Sequence, residues 1–162
     1  MEGILAIDNQ NGLSKNGVIP WHNKKDIEFF VEKTINNVVV MGINTLLSFP
    51  NSKPLRKRVN IVITNNAEKY NEIYGSKYSS DILRFVDMIS LDNALKDYTN
   101  KKIFVIGGNQ IYNILLPYCS LIWVSKIKNA YDCDLKLDFD LSSYTKTIIY
   151  DDNELEISMC AI

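Results

Sequence analysis

Apolar residues in this chain fall into short blocks separated by polar stretches rich in turn residues. Gly3-Ile4-Leu5-Ala6-Ile7, Asn37-Val38-Val39-Val40-Met41-Gly42, Arg58-Val59-Asn60-Ile61-Val62-Ile63-Thr64, Lys102-Ile103-Phe104-Val105-Ile106-Gly107 and Leu121-Ile122-Trp123-Val124-Ser125-Lys126-Ile127 are nearly continuous runs of strand length. Such runs predict strands buried on both faces. Ile82 to Met88 predicts a weaker strand. Helical patterns lie between them. Asn23 is a suitable N-cap, and Ile27, Phe30, Val31 and Thr34 recur at i, i+3, i+4 and i+7. That spacing predicts a helix with these four as its buried stripe and Asp26 in its first turn. Asn44 or Thr45 is expected to cap a short helix ended by Pro50, and Ser90 to cap another through Leu91, Ala94, Leu95 and Tyr98. Ile111, Ile114 and Leu115 mark a helix that starts directly after Gly107-Gly108. Residues 67–80 read as irregular. Thr145 to Tyr150 and Glu154 to Ala161 alternate polar and apolar across Asp151-Asp152-Asn153, which predicts a closing hairpin.

Strands alternating with helices, followed by a hairpin, predict an α/β fold: a mainly parallel central sheet with flanking helices and a C-terminal antiparallel hairpin. No internal repeat or linker divides the chain, so residues 1–162 are expected to form a single domain, long enough to bury a substantial core. A net charge of −1 leaves no basic footprint for nucleic acid or an anionic membrane. No apolar run approaches spanning length and no secretory leader opens the chain, which points to the cytoplasm. Cys119, Cys133 and Cys160 agree: odd in number and without metal-like spacing, they read as free thiols, two of them packed. No metal site is expected.

Four stretches carry candidate chemistry. Asp26 has Phe29 and Phe30 as its i+3 and i+4 neighbours. A carboxyl between two rings at a core edge is desolvated, which raises its pKa and suits proton transfer near neutrality. The plainer alternative is an acid that only complements the helix dipole. The polar connector from Asp8 to Gly17 is long and reads as a lid or a mobile surface loop. Gly42 and the Gly107-Gly108 pair each end a strand and open a helix, where free N–H groups favour an anion. The dinucleotide fingerprint G-x-G-x-x-G is absent.

Taken together, Leu5-Ala6-Ile7-Asp8, Gly12, Pro20-Trp21, Asp26, Phe30, Val40-Met41-Gly42 with Thr45, Arg58, Ile106-Gly107-Gly108 with Ile111-Tyr112, and Asp134 resemble the dihydrofolate reductase family. The pieces stand in family order over almost the whole chain. The resemblance implies that fold and the reduction of 7,8-dihydrofolate to tetrahydrofolate by NADPH, which serves one-carbon metabolism and thymidylate synthesis. It makes Asp26 the group that supports N5 protonation, with Trp21 holding a water beside it. Ser125 would bond to Asp26 and the pterin amine, and Tyr112 would sit near the nicotinamide. Ile4, Ile27, Phe30, Phe49 and Leu55 would wall the substrate. Backbone carbonyls near Glu2 and at Ile106 would accept from the pterin, and Arg58 would clamp the glutamate tail. The cofactor would lie along Ile4, Leu13, Gly17, Ile19, Gly42, Asn44, Thr45, Thr64, Asn65, Gly107, Gly108, Asn109, Gln110, Ile111 and Tyr112. Residues 9 to 19 would be a mobile loop to which Asp134 bonds.

The resemblance further implies a monomer that takes small molecules, antifolates among them. The chain departs from many relatives at Ile43 and Gln110, where a basic residue meets the cofactor's 2′-phosphate. Thr64, Asn65 and Lys69 are the available substitutes, so the preference for NADPH over NADH is expected to be modest. Two other readings compete: a folate- or nucleotide-binding scaffold of the same fold without turnover, and a pyrimidine reductase of riboflavin synthesis. The second leaves Pro20-Trp21 with Asp26, and Arg58, unexplained.

Overall fold

The computed structural model describes residues 1–162. In chain order its elements are β1 (Glu2–Ile7), β2 (Gly12–Ser14), α1 (Lys24–Thr34), β3 (Val38–Gly42), α2 (Ile43–Ser48), β4 (Val59–Ile63), α3 (Ala67–Tyr74), β5 (Leu83–Val86), α4 (Leu91–Leu95), β6 (Ile103–Gly107), α5 (Asn109–Leu115), β7 (Leu121–Ile127), β8 (Leu135–Lys136), β9 (Thr145–Asp151) and β10 (Leu155–Ala161). Eight strands form one sheet in the order β5-β4-β3-β6-β1-β7-β10-β9, while β2 and β8 pair separately. The first six are parallel neighbours. β10 runs antiparallel to both β7 and β9, the expected hairpin.

The sheet is covered on both sides, which is why its central strands read as unbroken apolar runs. Leu5, Ile7, Val38, Val40, Ile61, Val105 and Val124 pack on Leu91, Ala94, Ile111 and Leu115 of α4 and α5. The alternate residues Val39, Met41, Val62, Leu83 and Phe85 meet Leu46 of α2. Ile4, Phe104 and Trp123 meet Phe29 and Phe30 of α1. β1 lies centrally, with β6 and β3 on one side and β7 on the other. Where strand order turns back at a central strand, the strands' carboxyl ends frame a crevice.

The observed elements depart from the expected pattern in several places. In α1 only Thr34 of the proposed stripe is buried, and Ile27 and Val31 are exposed. The helix leans on the sheet through Phe29, whose ring meets Trp123 edge-on at 5.9 Å. Ile27 and Val31, each two residues from Phe29, point about 200° away from it. Residues 67–74 form α3 where irregular chain was expected. The i, i+4 pair Tyr70 and Tyr74 lays both rings on Phe85, at 5.5 and 5.3 Å, and that contact offsets a polar sequence. α2 begins at Ile43 behind Gly42, so Asn44 and Thr45 sit inside its first turn and cap nothing. Ser90 makes no side-chain cap; its N–H donates to the Asp87 carboxylate at 2.8 Å. All three cysteines are free and buried, one more than expected.

Candidate functional site

Asn23 Oδ1 accepts from the Asp26 N–H at 3.0 Å and so caps α1. A cap of this kind contributes about 1 kcal/mol. Asn23 supplies it, which leaves the Asp26 carboxyl free for other contacts. Burial pushes that carboxyl above the usual carboxylate range, against a hydrogen bond from Ser125 that pulls it down. A helix N-terminus also favours the anion. The net direction is upward, so desolvation outweighs the Ser125 bond. Tyr112 approaches from α5. It is buried, and its hydroxyl donates to the Ile4 carbonyl at 2.9 Å. Burial, then the Asp26 charge, pushes its phenol far up, so it remains protonated. Four elements, β1, α1, α5 and β7, therefore converge on one carboxyl.

Apolar groups surround this point. Ile4, Phe29, Phe30, Phe104, Ile106 and Trp123 form one cluster. Trp21 is buried with Ile127, Leu155 and Ile157, its ring 5.6 Å from Tyr131, and Phe29 joins the two clusters. Glu2 is engaged by its side chain: Oε1 accepts from Trp123 Nε1 at 3.0 Å. Phe49 and Leu55 sit half-buried on the α2 side. Arg58 precedes β4, and its guanidinium lies 5.9 Å from the Phe30 ring centroid. Its Nε donates to Thr34 Oγ1 at 3.0 Å and Nη1 to the Arg56 carbonyl at 2.8 Å. Burial holds it below its ordinary value.

The two glycine turns face each other because β3 and β6 are neighbours, with Met41 opposite Gly107. Gly42 and Gly108 are the N-caps of α2 and α5, and neither helix start carries a side-chain cap. A Cβ on Gly108 would stand 3.6 Å from Thr45 Oγ1, and one on Gly42 would press Ile111 at 3.0 Å. Asn44, Gln110 and Ile111 lie within these first turns, and Asn109 donates its amide to Asp138 at 2.8 Å. At the end of β4, Thr64 Oγ1 accepts from the Asn66 N–H at 3.1 Å, with Asn65 and Lys69 exposed beside it. The cradle is open backbone, suited to a phosphate group.

The 9–19 connector is tied to the 129–137 segment: β2 pairs with β8, the Asn9 N–H donates to the Asn129 carbonyl at 3.1 Å, and the Leu137 N–H donates to the Asn11 carbonyl at 2.8 Å. Asp134 accepts from the Asn16 N–H, 3.2 and 3.3 Å from its two oxygens. Asp8 is 1% exposed and accepts from the N–H groups of Gln10, Gly12 and Tyr131 at 2.8–3.0 Å. Leu13 packs on the main core, Gly17 has φ +80°, and Val18 and Ile19 are exposed. Sequence reasoning missed Asp8 as an anchor; the D-x-x-x-G spacing is the available signal for such a turn. It also missed Thr34 as the partner of Arg58, for which no local signal exists.

Together these features define an α/β protein with a partly buried acidic group on α1 and two facing glycine turns where β3 and β6 end. The chain belongs to the dihydrofolate reductase family, whose model, described as "Dihydrofolate reductase", matches residues 1–157. It is 33% identical to the dihydrofolate reductase of Ureaplasma parvum over 142 residues, 86% of this chain and 84% of that protein. It is 30% identical to that of Bacillus subtilis over 142 residues, 87% of this chain and 77% of that protein. A solved dihydrofolate reductase from Enterococcus faecalis, complexed with NADP(H) and RAB-propyl, shares the fold at a TM-score of 0.77 and 24% identity. The match covers 99% of this chain and 94% of that one.

Proposed function

We propose that the protein, as a single domain of residues 1–162, reduces 7,8-dihydrofolate to tetrahydrofolate with NADPH. The observation that carries the reading is the Asp26 carboxyl, its pKa raised by burial against the pull of Ser125, on the helix whose Phe29 and Phe30 pack on Ile4, Phe104 and Trp123. Reduction of an imine needs a proton at N5 as hydride reaches C6, since an unprotonated imine would leave an amide anion. A carboxyl with a raised pKa binds the pterin's amino and ring nitrogens and favours the protonated substrate. Ser125 orients it, and Trp21 shields the proton path. Ile4, Ile27, Phe30, Phe49 and Leu55 keep the reacting atoms dry. Carbonyls at Ile106 and near Glu2 accept from the pterin amine. Arg58 presents a planar fork to the tail carboxylate.

The nicotinamide cofactor supplies the hydride when bound. The chain fits it: a Cβ would crowd Ile111 at Gly42 and Tyr112 at Gly107, while Gly108 stands open beside Thr45. Backbone N–H groups of Asn44, Thr45, Asn109, Gln110 and Ile111 would hold its pyrophosphate. Thr64 and Asn65 would meet the 2′-phosphate, and Leu13, Gly17 and Ile19 would close over the ring, near Tyr112. No helix is long and apolar enough to cross a membrane. We read the protein as a cytoplasmic monomer that also binds antifolates.

Absorbance loss at the NADPH band with dihydrofolate, blocked by methotrexate, is the expected result. Tight folate binding without turnover would make the protein a scaffold. With Ile43 and Gln110 in place of basic groups, kcat/KM should favour NADPH only modestly; equal values or a preference for NADH would overturn that assignment.

A further inference from the structure

We propose that Asn60 is a positioning residue for the tail end of the substrate site. Asn is disfavoured in strands, yet Asn60 lies within β4, fully buried among Val and Ile. A buried amide costs free energy unless its groups are bonded. Every bond Asn60 makes goes to backbone. Its Oδ1 accepts from the Leu55 N–H at 2.9 Å. Its Nδ2 faces the Leu55 carbonyl at 2.9 Å and the carbonyls of Arg58 and Ile82 at 3.2 Å.

The exchange of two bonds with Leu55 copies the pairing between neighbouring strands. One side chain thereby gives strand-like rigidity to a segment that is not a strand. That segment carries Leu55 at one end and Arg58 at the other. Thr34 holds the Arg58 guanidinium from the opposite wall. Asn60 thus sets the spacing between the apolar contact and the cation that an aryl group followed by a carboxylate would meet. An open cavity of about 670 Å³ borders the same segment, and across it the Asn36 N–H donates to the Lys57 carbonyl at 2.8 Å, so Asn60 is the only side chain that bonds both backbone groups of Leu55.

The inference rests on Arg58 as the tail clamp, and the test separates the two. Steady-state kinetics are measured with NADPH on dihydrofolate and on 6-methyl-7,8-dihydropterin, which lacks the aryl-glutamate tail. Asn60→Leu keeps the volume and leaves Leu55 unpaired. Its KM for dihydrofolate should rise roughly tenfold to a hundredfold, as expected for misplacing a binding group. Its kcat, and its kcat/KM for the tail-less pterin, should stay within about twofold of wild type. Arg58→Ala should show the same split, and the double variant should be little worse than either single one.

Equal losses on both substrates, an unchanged KM, or full additivity with Arg58→Ala would refute the proposal. If Asn60→Leu fails to fold, Asn60→Asp, which keeps the bond from the Leu55 N–H, is measured in its place and should raise the same KM. If neither folds, Asn60 serves folding alone and the proposal fails. Arg58→Ala with an unaltered KM would instead remove the tail clamp. Wild type inactive on both substrates would overturn the functional reading itself.

Discussion

Thr34 Oγ1 accepts from Arg58 Nε at 3.0 Å while its own hydroxyl donates to the Phe30 carbonyl at 2.8 Å. The last turn of the helix that carries Asp26 is thereby coupled to the cation on the far side of the cleft. Thr34 is fully buried, and Arg58 also lies over the Phe30 ring.

Thr34→Val preserves shape and removes the acceptor. A lost buried partner costs about 1–3 kcal/mol. Part of this cost should appear as a raised KM for dihydrofolate with kcat retained, because only the aim of Arg58 changes. A fall in kcat with unchanged KM would contradict the coupling.

Asp26→Asn should fold and lose most hydride transfer at pH 7, with partial recovery in acid, where the substrate protonates itself. Near-normal rates at pH 7 would exclude the assigned role. Stability should move the other way. The folded chain holds the Asp26 proton above the reference value of 3.8, so in that window it binds more protons than the unfolded chain. This group's stabilising contribution is therefore complete below 3.8 and is lost as pH rises through the folded value. Above that value the buried charge opposes folding. The Asn variant should melt higher than wild type at pH 7, and thermal melts at falling pH should show that gain disappear.

Asp134→Ala removes the acceptor for the Asn16 N–H and frees the 9–19 connector at one of its ties. Single-turnover hydride transfer should slow severalfold, while Tm stays close to wild type because the bond is exposed. An unchanged transfer rate would show that this contact does not govern closure.

Gly107 has φ +113°, and a Cβ there would stand 3.0 Å from the Tyr112 ring. A side chain in such backbone costs about 1–3 kcal/mol before any clash. Gly107→Ala should lower Tm by about 2–4 °C for each kcal/mol lost. It should also weaken NADPH binding measured by fluorescence titration, since the ring and the cradle would have to part. Unaltered affinity would separate Gly107 from the cofactor site.

The buried strands, the closing hairpin and the helix entry at Asn23 were legible along the chain, because each is written in neighbouring residues. Apolar runs, alternation and caps report local burial and local hydrogen bonding, and the glycines that end β3 and β6 report local backbone freedom. The ordered set of residues from Leu5 to Asp134 also carried the family. What local pattern did not contain was direction and distant partnership. The side on which α1 packs was decided by Phe29 meeting Trp123, which exposed Ile27 and Val31. α3 formed because Phe85 offered a surface to two tyrosines. Thr34 with Arg58 and Asp8 with Tyr131 are polar bonds between segments that the sheet brings together, while Asn60 turns back on Leu55 only because its strand packs it out of water. Periodicity records whether a residue leaves water. Only the folded chain decides which buried polar group meets which, because those bonds must be satisfied wherever the packing happens to place them.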